Sequence, residues 1–167
     1  MTVQTSFSVD KQRAYAGMLA DAGDKDTINK IATSAVPFGC GVVKRAAPAD
    51  TVEQCGVPTA TADVTARPRG IAVKDETRRG PQAGLPGGYE IGDSVTILKR
   101  GRIWVPVEGA VAQDGSPFCR FAAGAGGTVL GAFRADADTA TAVAFPTAVF
   151  RTFTSGAGFA VVEVNLP

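Results

Sequence analysis

Short runs of strand-forming residues, separated by glycine and proline, make up most of this chain. They begin at residue 36 and recur to the C-terminus, and the 167-residue sequence contains 20 glycines and 10 prolines. β-branched and aromatic residues favour strands, whereas glycine and proline interrupt regular structure. Strands at this spacing predict an all-β fold, a compact barrel or a sandwich-like arrangement, as a single β-rich domain over residues 36–167.

Residues 1–35 differ from the rest, because they contain most of the plausible helix and little strand pattern. A first short helix, capped by Asp10, would place five side chains on one face: Ala14, Tyr15, Met18, Leu19 and Ala22. The following stretch DKDTINKIA places Ile28 and Ile31 three residues apart, which is also a helical spacing. We therefore predict an N-terminal arm, residues 1–35, with little or short helix.

The stretch DSVTILKRGRIWVPV, from Asp93 to Val107, is the most unusual of the runs. With a turn at Arg100 and Gly101 it would form a hairpin with apolar residues on both faces, the lone Trp104 among them. A half-solvated hairpin alternates apolar with polar residues. This one is therefore either enclosed within its own domain or covers a partner with its second face, and the sequence leaves both possibilities open.

Composition argues against most catalytic and metal chemistry. The chain has no histidine, which removes Ser-His-Asp and Cys-His catalysis and the commonest general base near neutral pH. Its three cysteines are widely spaced, without the CxxC pairs of a zinc site, and suggest reduced thiols and assembly in a cytosol: Cys40, Cys55 and Cys119. No catalytic residue, cofactor or metal site is predicted.

Cys119 is nevertheless the best candidate for an enzymatic alternative, since Arg120 adjoins it and could lower the pKa of its thiol. Adjacent residues of a strand point to opposite faces, so the guanidinium is expected to miss the sulfur. Free cysteines are among the most buried residues. We therefore expect Cys119 to be a buried structural residue.

Charge and loop patterns exclude further classes of partner. The net charge is +1 with 20% charged residues, without the basic surface of a nucleic-acid-binding protein. No stretch has the length of an apolar signal or membrane span, so neither is expected. The acidic pairs, Asp136 with Asp138 among them, do not match a calcium loop and suggest solvated turns, and GPQAGLPGG lacks the ending of a phosphate loop.

The order of several motifs resembles the structural cement, or head decoration, proteins of tailed bacteriophages. In sequence these are AYAGMLAD, IATSAVPFGCGVVK, RGIAVK, YEIGDSVTILKRGRIWVPVEGAV and SGAGFAVVEVNLP, which together span nearly the whole chain. The most specific elements are the VPFG turn at 36–39 and the Y-x-x-G-D-x-V pattern at 89–95, followed by RIWV at 102–105.

The resemblance implies a non-enzymatic capsid cement protein that binds the outer surface of the expanded icosahedral head. Such a protein bridges major capsid proteins and stabilises the shell against DNA pressure. Its partners would be the major capsid protein and itself, as a dimer or trimer, but neither nucleic acid nor membrane. It would be found in the virion, and in the host cytoplasm during assembly. The expected partner-interface residues are Tyr15, Met18, Leu19, Ile28, Ile31 and Trp104, although the five in the arm could equally pack on their own domain.

Two rival functions fit the same sequence. A β-rich receptor-binding or fibre module of a virion would use the glycine-rich loops at 75–88 and 122–127 to hold a host ligand. A small thiol enzyme would use Cys119. The number of copies per particle separates a cement protein from a fibre module, and loss of an activity on alkylation would identify the enzyme.

Overall fold

The computed structural model of the protein describes residues 14–21, 23–45, 53–77, 87–125 and 127–167. Within these ranges twelve strands and one six-residue helix confirm the predicted all-β fold. They are β1 (Asp26–Ala32), β2 (Val36–Pro37), β3 (Gly41–Arg45), β4 (Gln54–Gly56), α1 (Thr61–Ala66), β5 (Pro68–Ala72), β6 (Gly88–Tyr89), β7 (Ser94–Val107), β8 (Phe118–Arg120), β9 (Phe133–Arg134), β10 (Ala142–Ala144), β11 (Ala148–Phe150) and β12 (Gly158–Asn165). Among the described residues no helix has the length and apolarity of a membrane span.

Five strands close into a small barrel. β1 pairs with β4 and β7, β4 continues to β3, β3 to β5, and β5 returns to β7. Its interior is filled by a first core that includes Val36, Phe38, Val42, Val95 and Ile97. Each of these strands pairs on both sides over part of its length, which limits the edge available for pairing with other chains.

A second group of strands extends from the far end of β7. β12 pairs with this end along its whole length, β11 pairs with β12, and β9, β8 and β10 follow one another on the other side. The second core, on this side of the molecule, includes Ile103, Val105, Phe133, Phe150 and Val162. The structure therefore has two apolar cores, and β7 contributes to both.

β7 is a single 14-residue strand, so the predicted hairpin is wrong. Arg100 and Gly101, the expected turn, instead pair with Asn165 and Val164 of β12, and the ladder continues without interruption to Val107. Gly101 adopts a φ of 126°, a conformation that residues with a side chain rarely reach. The Arg-Gly pair therefore marks an irregularity within the strand and not its end.

The two cores explain why this stretch is apolar on both faces. Val95 and Ile97 point into the barrel core, whereas Ile103 and Val105 point into the second core. Both sets are fully buried within the chain itself. The first of the two possibilities, enclosure within the protein's own fold, therefore accounts for these residues without a partner.

The predicted helices of the arm are also wrong in the described part of the chain. Residues 14–21 contain no helix, and Leu19 instead forms a β-bridge with Ile103. Ile28 and Ile31 lie on β1, which pairs with β7 and helps to close the barrel. Strand pairing with β7 overrides a helical periodicity that is short and interrupted by glycine. Asp10 and Ala22 lie outside the described residues.

Residues 14–21 and 23–35 are thus joined to the sheet by backbone hydrogen bonds and not separate from it. The division of the chain at residue 35 stays a prediction. The described part of the proposed arm pairs with strands of the β domain.

Candidate interaction surface

The ladder between β7 and β12 presents apolar side chains away from the second core. Trp104 lies opposite Val161, and Pro106 lies opposite Phe159. Directly paired residues of antiparallel strands share a face, and alternate residues point to opposite faces. Since Val105 points into the second core, these four residues, which we call the aromatic face, point the other way. All except Val161 are only half-buried.

An apolar groove of about 860 Å³ adjoins the aromatic face. Its lining includes Tyr15, Phe38, Pro106, Val129, Ala157 and Phe159. Tyr15 is 42% exposed and Val129 is 40% exposed, although both are large apolar side chains. Pro106 and Phe159 belong to both the groove and the aromatic face, so the two form one continuous surface.

Lys74 and Glu108 give the groove a polar rim. The Nζ of Lys74 lies 4.7 Å from the centre of the Tyr15 ring, in a cation–π contact, and 3.0 Å from Oε1 of Glu76. Glu108 is also part of the lining. An apolar floor with a few charged groups at its edge is typical of a surface that binds another polypeptide.

The charges beside the aromatic face are paired within the chain. Glu163 accepts hydrogen bonds from the Nε of Arg102 at 2.7 Å and from the Nε of Arg151 at 3.0 Å, and Arg151 also reaches Asp114 at 3.0 Å. Hydrogen bonds from Arg151 and Arg102 lower the pKa of Glu163 to about 2. The carboxylate of Glu163 therefore stays ionised. The charges of Glu163, Arg102, Arg151 and Asp114 are paired with one another.

The six residues predicted as an interface fall into two groups. Four lie along the second half of β7: Tyr15, Met18, Leu19 and Trp104. Ile28 and Ile31 lie on β1, beside the first half of the same strand. Leu19 packs against the second core and Ile28 against the barrel core, which is the alternative that the sequence leaves open. Tyr15 is exposed and lines the groove, and Trp104 is half-buried on the aromatic face.

A buried ion cluster is the feature that sequence reasoning missed. Arg120 is fully buried and donates to Glu108 through two nitrogens, at 2.8 and 2.7 Å. The same guanidinium donates to Asp138 at 2.6 Å and to the hydroxyl of Thr141 at 2.9 Å, and Arg134 lies 2.9 Å from Asp138. The charge-assisted bonds to Glu108 and Asp138 raise the pKa of Arg120. The cluster joins β8 to the end of β7 and to the loop before β10.

The only signal of this cluster in the sequence is an arginine inside the apolar run SPFCRF. The prediction of a solvated turn is wrong for Asp138, because its side chain is only 13% exposed. Its neighbour Asp136 is 68% exposed, in agreement with that prediction.

The cysteines are all buried, as expected for structural thiols. Burial raises the pKa of Cys40 to about 12 and that of Cys55 to about 11, and it raises the pKa of Cys119 well above its usual value. A thiol with a raised pKa is neutral at physiological pH and a poor nucleophile. The guanidinium of Arg120 is bonded to Glu108 and Asp138, so it does not activate the neighbouring sulfur. The described residues include no group of three or more histidine, cysteine or acidic side chains that could hold a metal ion.

These thiols should resist modification in the folded protein. We expect iodoacetamide at pH 8 to leave all three cysteines unmodified over hours, because they are buried and protonated. Intact-protein mass spectrometry would measure the added mass, and the same reaction in concentrated urea, where all three should react, is the control. Rapid alkylation of Cys119 in the native protein would contradict this and revive a thiol mechanism.

A half-exposed aromatic face and an apolar groove on an all-β fold are typical of proteins that act by binding other proteins. The match to a family model identifies the family. The chain belongs to the phage structural cement proteins, because the family described as "Structural cement protein (E217 gp24/Pam3 gp6)" matches residues 3–166.

The fold agrees with this assignment. A chain in the solved structure titled "The capsid of Myoviridae Phage XM1" superposes with a TM-score of 0.70 and 18% sequence identity, covering 99% of this chain and 98% of that one. No curated protein sequence matches this chain. The protein is therefore a capsid cement, or decoration, protein and a component of the virion capsid, and the resemblance seen in its motifs is confirmed.

Proposed function

We propose that this protein binds the outside of the expanded icosahedral head and bridges neighbouring major capsid proteins, and that it does so as a dimer or trimer. Membership of the cement family over residues 3–166 is the observation that carries the proposal. The aromatic face and the apolar groove supply the contact surface, with Trp104, Phe159 and Tyr15 as the residues that contact the coat protein or another copy. The net charge of +1 supports a protein partner over nucleic acid or an anionic membrane.

Stabilisation of the shell would follow from mass action. A protein that binds the expanded lattice and not a ruptured or contracted one shifts the equilibrium towards the expanded state, against the outward pressure of packaged DNA. An oligomer that contacts two or three coat subunits gains effective concentration, so each contact can be modest. A lasting attachment requires roughly 1,000 Å² or more of buried surface in total. Binding to the shell needs no cofactor and no chemical reaction. Before the heads expand, the free protein would be in the host cytoplasm.

Binding to purified heads tests the aromatic face. Replacing Phe159 with serine should weaken binding to expanded heads that lack the protein by about tenfold or more, because a large aromatic side chain is lost from the centre of the contact. Co-sedimentation over a range of protein concentrations measures the affinity. Phe159 is half-buried and outside both cores, so the variant should remain folded.

Ile91→Ser is the matched control. Ile91 is 74% exposed, in the turn before β7, and belongs neither to the aromatic face nor to the lining of the groove. Ile91→Ser should bind heads normally if the aromatic face is the contact. Equal loss in both variants, or in neither, would remove the aromatic face from the proposal.

A simple ratio of this chain to the major capsid protein in purified particles, measured by quantitative mass spectrometry, would separate a cement protein from a sparse fibre module.

A further inference from the structure

Phe153 presents a large apolar side chain to solvent from a well-anchored backbone. It is 73% exposed, more than any other aromatic residue within the described ranges. Both of its neighbours are held by hydrogen bonds. The hydroxyl of Thr152 accepts from the nitrogen of Val161 at 2.9 Å, and the nitrogen of Thr154 donates to the oxygen of Val111 at 2.9 Å. A side chain on a backbone that is already ordered loses less conformational entropy when it binds, so Phe153 is suited to anchor an interface.

This side chain lies close to both the apolar groove and the aromatic face. The backbone nitrogen of Arg151, two residues earlier, donates to the oxygen of Val161, a member of the aromatic face, at 2.8 Å. Ala157, four residues later, lines the groove, whereas Phe153 itself is not part of the lining. Four residues of extended chain span at most about 14 Å. A protruding aromatic side chain and a groove that it does not fill are therefore close neighbours on the surface.

The groove is chemically suited to receive such a side chain. It has a volume of about 860 Å³, and Phe38, Pro106 and Phe159 are in its lining. Val129, also in the lining, is 40% exposed. An aromatic ring gains both buried apolar area and ring-to-ring contacts in a pocket of this kind, and such pockets are where the strongest contacts of interfaces occur. One chain thus carries both halves of an aromatic-in-groove contact.

Because the two halves are close together, a two-fold axis can satisfy both in one interface. In a two-fold interface the same patch meets itself, so each copy can insert its own side chain and receive that of its partner. Halves far apart on the surface would instead favour head-to-tail rings or filaments. The charges beside the aromatic face permit this arrangement, since Glu163 is paired with Arg102 and Arg151 within its own chain.

We propose that this surface binds a second copy of the chain about a two-fold axis, with Phe153 of each copy in the apolar groove of the other. A phenylalanine buries roughly 150–250 Å². A stable interface needs about 800 Å² from each partner, so the aromatic face, with Trp104 and Phe159, contributes as well. The inference rests on the self-association in the proposed function and deepens it, because it assigns the groove to the second copy and selects a dimer.

Sedimentation velocity of the purified full-length protein, without capsids, tests the association. The wild type should be a dimer at micromolar concentrations, and Phe153→Ser should raise the Kd of the dimer by about tenfold or more. Ile91→Ser is the matched control, because Ile91 is equally exposed but lies outside the groove lining and the aromatic face. It should dimerise like the wild type. A monomeric or trimeric wild type, or equal association of the wild type and Phe153→Ser, would overturn the proposal.

Mixing two variants tests the reciprocal contact. Val129→Arg places a charged side chain in the groove wall and should weaken dimerisation while leaving Phe153 in place. Val129 belongs to neither core, so this variant should remain folded, which circular dichroism would check. Mixed with Phe153→Ser, it should form heterodimers more tightly than either variant self-associates, because its Phe153 can enter the intact groove of the other copy. Unchanged dimerisation of Val129→Arg, or a mixture no tighter than its components, would contradict the proposed pairing.

Photo-crosslinking identifies the occupant of the groove. The full-length protein carries p-benzoylphenylalanine in place of Phe153, and ¹⁵N-labelled and unlabelled copies are mixed before irradiation. Attachment between copies, at or next to Phe38, Val129 or Phe159, supports the proposal. Attachment within one copy, or to the major capsid protein when the experiment is repeated on heads, in place of attachment between copies, would overturn it.

Co-sedimentation with heads remains a separate measurement. A dimer with these contacts that fails to bind heads would refute the proposed function and leave the self-association intact, whereas a monomer that binds heads would do the reverse.

Discussion

Replacing Arg120 with alanine is expected to lower the free energy of unfolding by about 3–5 kcal/mol, because it leaves buried carboxylates without their counter-charge. Glu108 and Asp138 are only 12% and 13% exposed, and both bond to this guanidinium. Arg134 can compensate in part, since it lies 2.9 Å from Asp138 and 3.4 Å from Glu108. Urea denaturation followed by Trp104 fluorescence would measure the change.

Arg151→Ala provides the control for this experiment. Arg151 also bonds to two carboxylates, those of Glu163 and Asp114, but it is exposed. Exposed ion pairs contribute little to stability, and salt screens them. We expect little change in its unfolding midpoint. If the Arg120 and Arg151 variants were equally stable, the buried cluster would not have the structural role assigned to it.

Gly70→Ala should be at least as disruptive, because it prevents β5 from approaching β7. Gly70 adopts a φ of 137°, and a Cβ atom there would lie 2.1 Å from the backbone oxygen of Leu98. The left-handed conformation alone costs about 1–3 kcal/mol for a residue with a side chain, and the clash with backbone adds to it. Since the Ile71–Leu98 pairing is one of the links that close the barrel, we expect a large loss of soluble, cooperatively folding protein.

Two further glycines separate the causes of this effect. Gly92 has a φ of 89°, but a Cβ atom added there would have no neighbour within 4 Å. Gly92→Ala should therefore show only the conformational cost, about 1–3 kcal/mol. Gly109 has open space and no positive φ, so Gly109→Ala should be nearly neutral. Thermal unfolding ranks the three variants. Equal destabilisation by Gly70→Ala and Gly92→Ala would show that the close approach of β5 to β7 is unimportant.

Local patterns are enough to predict the C-terminal strands. Two apolar runs separated by SGAG predict the pairing of β11 with β12 that the structure has. Ala160, Val162 and Val164 alternate along β12, and all three are fully buried in the second core. Strand partners close in sequence, joined by a clear turn signal, are specified by residues that lie side by side in the chain.

Partners distant in sequence are not predictable in the same way. Arg100 and Gly101 have the appearance of a turn, but the competing pairing with β12 involves residues about sixty positions later. The apolar spacing of Ile28 and Ile31 fits one face of a helix, yet this segment pairs with the edge of β7 and forms β1. In both cases a tertiary partner, which a local pattern does not reveal, decides the structure.

The candidate surface is predictable only in part. Trp104 and Tyr15 are both among the interface residues expected from the sequence, and both adjoin the surface that the fold builds. Phe159 and Val129 do not stand out, because a pattern of alternating residues does not show which face of a strand remains open. The ion cluster escapes prediction for a related reason: Glu108, Arg120 and Asp138 meet only after three loops have folded.

The sharing of β7 between two cores has a consequence for how the protein responds to strain. A two-lobed protein with a flexible linker can bend between its lobes or lose one while the other stays folded. Here the connection is a hydrogen-bonded strand whose side chains are embedded in both interiors, so neither core can loosen without disturbing the other. In the proposed bridging role, such a subunit would behave as one stiff body, and displacement between its attachment points would be absorbed at its interfaces.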